Sequence, residues 1–149
     1  TEYYSKIDFL TANEFEASAM THISIKDKQS AKKAAQKLRS MGAKTIIITL
    51  GSLGAILLEN QTTEVVYFPA LSVTAIDETA AGDAFRAAFV SHYLDSQNFR
   101  TSMEFATRAG AYAVTRLGAY EALPTTEQLE IFRICSNPKG TADYGKNYL

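Results

Sequence analysis

The chain has 149 residues, of which 46% are hydrophobic and 21% charged, and 15 basic against 16 acidic residues give a formal net charge of −1. This composition is typical of a globular protein and excludes disorder as the main state, while the balanced charge excludes the basic surface of a nucleic-acid-binding domain. No apolar run approaches the roughly 20 residues that a membrane span needs. The single cysteine, Cys135, excludes an internal disulfide. We therefore expect one soluble domain in the cytoplasm.

The start of the chain predicts a strand followed by two helices. The short apolar run of residues 7–10 predicts the strand, and Asn13 is a suitable N-cap for a short helix over residues 14–20. Apolar residues then recur at helical spacing after Asp27 and end at Gly42, a residue type that often terminates helices. A second helix is predicted between these two residues.

A run of β-branched residues predicts the centre of a sheet. Residues 45–50 read TIIITL without polar alternation, which fits a strand buried on both faces of a parallel sheet. Residues 55–58 and 64–68 flank a polar turn and predict two antiparallel edge strands. Residues 71–76 predict a further extended segment. This order of elements predicts an α/β fold with a mostly parallel sheet.

The second half of the chain is predicted to be helical. A helical period begins near Gly82, and capping-box patterns at residues 101–104 and 125–128 predict the starts of two more helices. Residues 136–149 show no periodicity, and we expect a mobile tail there. The folded domain is accordingly expected to cover residues 1–135.

Residues 77–85 (DETAAGDAF) combine a predicted strand end, small residues and a predicted helix start. The first N–H groups of a helix have no intrahelical partner, and the helix dipole favours negative charge beside them. Such a turn at the carboxyl end of a strand binds anions such as phosphate. Asp83 lies in the first turn of this helix. Its carboxylate either stabilises the helix dipole or acts as a general base in phosphoryl transfer.

Four segments of the chain resemble, in the same order, motifs of the ribokinase-like sugar kinases. They are residues 13–16 (NEFE), 49–54 (TLGSLG), 77–90 (DETAAGDAFRAAFV) and 113–119 (AVTRLGA). The resemblance extends over residues 5–135 and implies a ribokinase-like α/β fold, with a mostly parallel three-layer sheet and helices on both faces. It also implies a kinase that uses ATP to phosphorylate a sugar hydroxymethyl group. Ribose is our first choice, and fructose, 2-keto-3-deoxygluconate and nucleosides remain alternatives.

The resemblance implies a role for each matching residue. Asp83 is the expected catalytic base, and the backbone amides of Ala80, Ala81 and Gly82 are the expected anion hole for the γ-phosphate. The residues expected to bind ATP or to organise Mg²⁺ are Asn13, Glu16, Thr49, Gly51 and Thr107. Those expected to surround a K⁺ ion, largely through backbone carbonyl groups, are Asp77, Thr79, Ala113, Arg116, Gly118 and Ala122.

The sequence departs from the family pattern at Glu78, a position that is usually small or proline-like. This side chain is either a solvated loop residue or a perturbation of the cation loop. The pair Ala80-Ala81 and the stretch of residues 113–116 resemble the ribokinase branch of the family.

The members of this family are longer than the chain, and their sugar-binding residues and β-lid lie in the first half. The chain also begins with Thr1 rather than Met. We therefore expect the C-terminal, nucleotide-binding half of a kinase, which would form a homodimer through the missing half. The alternative is a truncated, non-catalytic module that binds nucleotides or a partner.

Overall fold

The computed structural model describes residues 3–136, which belong to two units. One unit lies within Thr1–Pro69 and the other within Ala70–Gly145. The tail predicted for residues 136–149 lies outside the described residues, apart from its first residue, which ends a helix. Among the described residues, no helix has both the length and the apolar character needed to cross a membrane.

The first unit contains one mixed sheet, in the order β1-β2-β3-β4. Its strands are β1 (Phe9–Asn13), β2 (Thr45–Thr49), β3 (Ala55–Leu58) and β4 (Val65–Phe68). Strands β1 and β2 are parallel, whereas β2–β3 and β3–β4 are antiparallel. The expected mostly parallel sheet is thus corrected to a mixed one for the described strands. The reason is that the connections after β2 and β3 are far shorter than the dozen or so residues of a parallel crossover.

Strand β2 forms the centre of the core, as its apolar run predicted. Ile46, Ile47 and Ile48 are each at most 1% exposed, so this strand is buried on both faces. The predicted hairpin of β3 and β4 is confirmed by their antiparallel register. The first strand begins two residues later than predicted and continues to Asn13.

Helices α1 (Glu14–Thr21) and α2 (Lys28–Ser40) pack against this sheet. Asn13 caps α1 and Asp27 caps α2, which confirms both predicted helix starts. The apolar positions of α2 are fully buried in the same cluster as Leu10 and Ile48, which confirms the predicted stripe.

Within residues 70–136, the second unit contains three helices: α3 (Ala81–Ser96), α4 (Phe99–Ala113) and α5 (Thr126–Ser136). Helix α4 packs against both of the others. The cap predicted for residues 125–128 is confirmed by reciprocal hydrogen bonds between Thr125 and Gln128. The cap predicted for residues 101–104 is wrong, because Asn98 accepts the Thr101 N–H bond and α4 begins at Phe99.

The segment before α3 is irregular. No strand is present over residues 71–76, so the prediction that a strand ends near Asp77 is wrong. The backbone N–H groups of Ile76 and Asp77 instead donate to the Val114 carbonyl oxygen, at 2.6 and 3.2 Å. A turn anchored to the end of α4, and not a sheet edge, therefore positions the start of α3.

Candidate functional site

Helix α3 begins at a strained turn. Ala80, its N-cap, has the left-handed conformation at φ 60° and ψ 5°, which is unusual for a residue with a Cβ. The Ala81 N–H donates weakly to the Glu78 carbonyl oxygen at 3.3 Å, and the first regular helical bond runs from Ala84 to Ala80 at 2.8 Å. The backbone N–H groups of the first turn, at Gly82 and Asp83, thus lie where a helix has no internal acceptor for them.

Asp83 lies in this first turn with its side chain 77% exposed. Its Oδ1 is 3.4 Å from Nη1 of Arg86, one turn further along α3. A Cβ placed on Gly82 would meet only that same guanidinium, at 3.7 Å. The turn therefore presents an accessible carboxylate beside a glycine backbone, in the first helical turn where the sequence placed Asp83. The sequence reasoning missed Arg86, whose i, i+3 spacing from Asp83 was the available signal.

Helix α4 approaches this turn closely at Gly110, a second residue that the sequence reasoning missed. A Cβ at Gly110 would lie 3.5 Å from the carbonyl oxygen of Ala81 and 3.8 Å from Cβ of Phe85. The glycine in the middle of a helical pattern was the signal for a close packing position. The start of α3 is thus supported by the end of α4.

The Asp77 carboxylate joins two loops. Its Oδ1 accepts the Thr79 N–H bond and its Oδ2 accepts the Gly118 N–H bond, both at 2.9 Å. Hydrogen bonds from the Thr79 side chain and then from the backbone of Gly118 and Thr79 hold the pKa of the Asp77 carboxyl below its usual value. A full negative charge is therefore kept between the two loops at neutral pH.

The structure brings the other predicted cation residues to the same region of the second unit. The Arg116 N–H donates to the Ala113 carbonyl oxygen at 3.0 Å, and Ala113 and Ala122 are both fully buried in one apolar cluster. The Arg116 guanidinium lies 3.4 Å from the ring centre of Tyr112 and donates to its carbonyl oxygen. The role of these residues as K⁺ ligands stays a prediction.

The first unit carries four of the residues expected to bind ATP or to organise Mg²⁺. Asn13 and Thr49 are register partners at the carboxyl ends of the parallel strands β1 and β2. Asn13 and Glu16 form a reciprocal capping box: the Asn13 N–H donates to Oε2 of Glu16 and the Glu16 N–H donates to Oδ1 of Asn13, both at 2.8 Å. Gly51 follows with φ +53°. The carboxyl ends of parallel strands are where α/β sheets bind ligands.

Thr107 is placed differently from the other predicted residues. It is 6% exposed in α4, and its hydroxyl donates to the Met103 carbonyl oxygen at 2.8 Å. This hydrogen bond satisfies the hydroxyl inside the helix. Its predicted contact with the nucleotide remains a prediction.

The candidate metal ligands suit an Mg²⁺ ion that is bound partly by substrate phosphates and water. They suit a metal ion bound by protein side chains alone less well. Within residues 3–136, no group of three or more His, Cys, Asp or Glu residues could hold a metal ion. Mg²⁺ in kinases is typically bound by one or two carboxylates together with substrate phosphates and water. Glu16 is a carboxylate of this type, and its rotamer is fixed by the capping box.

Comparison with known proteins decides the family. Residues 1–126 match the sequence model of the pfkB family of carbohydrate kinases. The chain belongs to this family. Its relatives include a Haemophilus influenzae ribokinase that is 37% identical over 127 residues. Those residues make up 85% of the chain but only 41% of that relative, so the chain spans less than half of the relative's length.

Solved structures confirm the ribokinase-like α/β fold of this pfkB family chain. The ribokinase of Thermotoga maritima superposes with a TM-score of 0.79 at 37% identity, over 89% of this chain and 44% of that one. The ribokinase of Arabidopsis thaliana, solved in complex with ribose and ATP, gives a TM-score of 0.81 at 26% identity, over 88% and 42% of the two chains.

Proposed function

We propose that the natural polypeptide containing this chain transfers the γ-phosphoryl group of ATP to the hydroxymethyl group of a sugar, with ribose as the first choice. The observation that carries the proposal is the accessible Asp83 carboxylate in the first turn of α3, directly after Gly82. Membership of the pfkB family supports the reaction class. The ribokinases among the relatives support the choice of ribose.

In the proposed reaction, Asp83 accepts the proton of the sugar hydroxyl group. The hydroxyl oxygen forms a bond to the γ-phosphorus while the bond from that phosphorus to the β–γ bridging oxygen breaks, and ADP leaves with that electron pair. Phosphoryl transfer depends mainly on positioning and on stabilising the charge of the transferring group. The amides of residues 80–82 and the dipole of α3 supply this stabilisation, with Gly82 allowing the closest approach.

The remaining predicted residues are assigned to ATP and its ions. Thr49, Gly51 and Thr107 are proposed to contact ATP. Glu16, held by Asn13, is proposed to orient water around Mg²⁺, which when bound neutralises phosphate charge.

A K⁺ ion is proposed at the loops that Asp77 joins. The proposed carbonyl ligands belong to the ring of residues predicted from the sequence: Thr79, Ala113, Arg116, Gly118 and Ala122. The support is the retained charge of Asp77 and its two backbone hydrogen bonds. The proposed location is the cytoplasm. The family resemblance supports a homodimer formed through the N-terminal half that this chain does not span.

The test is an assay of ATP-dependent ribose phosphorylation by the natural full-length polypeptide and two variants. Asp83→Asn keeps the shape of the side chain but removes the base, and we expect kcat to fall by roughly 10²- to 10⁴-fold. Asp95→Asn is the matched control, since Asp95 is an exposed carboxylate near the other end of α3. Near-normal activity of Asp83→Asn would show that Asp83 is not the base. If the unmutated polypeptide binds ATP but transfers no phosphoryl group, it is the non-catalytic module.

A further inference from the structure

Arg86 extends its side chain back over the first turn of α3. Its Nη1 lies 3.4 Å from Oδ1 of Asp83, and the same atom lies 3.7 Å from a Cβ built on Gly82. Helical side chains lean towards the N-terminus of their helix, which explains this direction. A positive charge thus lies beside both the proposed base and the glycine of the proposed anion hole.

The contact between Arg86 and Asp83 is long for a charge-assisted hydrogen bond. Strong charge-assisted hydrogen bonds are about 2.7–2.9 Å long, whereas this contact is 3.4 Å long and the Asp83 side chain is 77% exposed. Exposed ion pairs of this type contribute little stability. Arg86 is itself only 35% exposed, so its guanidinium is held near the turn rather than extended into solvent.

We propose that Arg86 is a further phosphate-binding residue of the proposed kinase site. When the γ-phosphoryl group binds at the start of α3, the guanidinium exchanges the Asp83 carboxylate for a phosphate oxygen. The exchange leaves the Asp83 carboxylate available to accept the hydroxyl proton. A planar guanidinium suits this role, because it can donate two parallel hydrogen bonds to phosphate. This inference rests on the proposed function and assigns one more residue to the same site.

A purely structural role of Arg86 makes a different prediction. As an i, i+3 partner of Asp83, Arg86 would stabilise only the helix. Its removal would then lower thermal stability slightly and would leave the preference of the protein for ATP over ADP unchanged. A direct contact with the γ-phosphate would instead change that preference, since ADP lacks this group.

The test is calorimetric titration of ATP–Mg²⁺ and of ADP–Mg²⁺ into the natural full-length polypeptide and its Arg86→Met variant. We expect the Kd for ATP to rise about tenfold and the Kd for ADP to rise less than about threefold. Arg86→Lys is expected to restore part of the ATP affinity. Arg100→Met, which removes an arginine from α4, is the control and is expected to change neither affinity. Equal changes for ATP and ADP, or no change, would overturn the inference.

A double variant separates this inference from the proposed function. If Arg86 binds phosphate directly, adding Arg86→Met to Asp83→Asn still weakens ATP binding more than ADP binding. If Arg86 acts only through Asp83, its effect disappears in that background, and the inference is wrong. The proposed function is judged separately by the loss of phosphoryl transfer in Asp83→Asn. If Arg86→Met binds ATP with an unchanged preference for ATP over ADP, the inference about Arg86 is wrong and the proposed function is unaffected.

Discussion

The Asp77 carboxylate accepts a hydrogen bond from the backbone N–H of Gly118, which lies 41 residues later in the chain. The same carboxylate accepts the Thr79 N–H bond, so one side chain holds the loop before α3 against the loop after α4. An acidic residue at this point therefore connects the loop proposed to bind K⁺ with the turn proposed to bind the γ-phosphate.

The first prediction concerns the charge of Asp77. Asp77→Asn should lower the melting temperature at neutral pH, because an amide has only one acceptor oxygen. One of the two backbone N–H groups then loses its acceptor, and the remaining hydrogen bond is no longer charge-assisted. The folded pKa of Asp77 is depressed, so its stabilisation is present above the unfolded pKa and is lost as the pH falls through the folded pKa.

The difference in melting temperature between the wild type and Asp77→Asn should therefore shrink as the pH falls below about 4, near the ordinary aspartate pKa. Thermal denaturation from pH 7 to pH 3 measures this, with Asp95→Asn as the control. A difference in melting temperature that stays constant from pH 7 to pH 3 would show that the charge of Asp77 does not stabilise the fold. In the kinase assay, Asp77→Asn should also lose the difference in rate between K⁺ and Na⁺.

The second prediction concerns the capping box of Asn13 and Glu16. Asn13→Ala removes the side-chain acceptor of the Glu16 N–H bond and should lower the free energy of unfolding by about 1 kcal/mol. Asn13→Asp keeps an acceptor and should restore most of that loss. Chemical denaturation measures both, with Asn60→Ala in the exposed turn after β3 as the control. Equal stability of Asn13→Ala and the wild type would show that the box does not stabilise α1.

The third prediction concerns the left-handed backbone of Ala80. Ala80→Gly removes the steric penalty of a Cβ at φ 60° and should stabilise the protein by up to about 1 kcal/mol. Ala87→Gly is the matched control in the exposed interior of α3, where the same change should destabilise by about 0.5–1 kcal/mol. In chemical denaturation, the two variants should change the free energy of unfolding in opposite directions. A destabilising Ala80→Gly would contradict the strained turn.

The fourth prediction concerns the space above Gly82. Gly82→Ala should fold normally, because the new Cβ would meet only the flexible guanidinium of Arg86. It should nevertheless weaken ATP binding, since the methyl group lies where the phosphate is proposed to approach the backbone. Ala87→Val, at an exposed position in the interior of α3, controls for added methyl groups in this helix away from the turn. Titration with ATP–Mg²⁺ measures the ATP affinity of each variant. An unchanged affinity in Gly82→Ala would show that the phosphate does not bind beside Gly82.

Local sequence patterns predicted those parts of the fold that local physics determines. The apolar run of β2 predicted burial on both faces, and Asn13 and Asp27 predicted the starts of α1 and α2, because capping depends on residues only three positions apart. Two capping residues compete at the start of α4. The pattern of residues 101–104 predicted a helix start at Thr101, whereas Asn98 accepts the Thr101 N–H bond and the helix begins at Phe99.

Features that depend on distant residues could not be predicted in this way. The anchoring of residues 76–77 depends on Val114, far along the chain. The contact between Arg86 and Asp83 depends on side-chain direction, which the spacing alone permits but does not determine. The resemblance to a family identified the candidate site residues, whereas the geometry added the contacts of Asp77 with Gly118, of Gly110 with the start of α3 and of Arg86 with Asp83.

The most direct test of the central claim is a single-turnover measurement of phosphoryl transfer from ATP to ribose. The natural full-length polypeptide and its Asp83→Asn variant are each saturated with ATP–Mg²⁺ and mixed with ribose, and the formation of the sugar phosphate is followed in time. The account predicts that the variant binds ATP with near-normal affinity but transfers the phosphoryl group at least about 100-fold more slowly. Transfer by Asp83→Asn at a rate close to that of the wild type would contradict it.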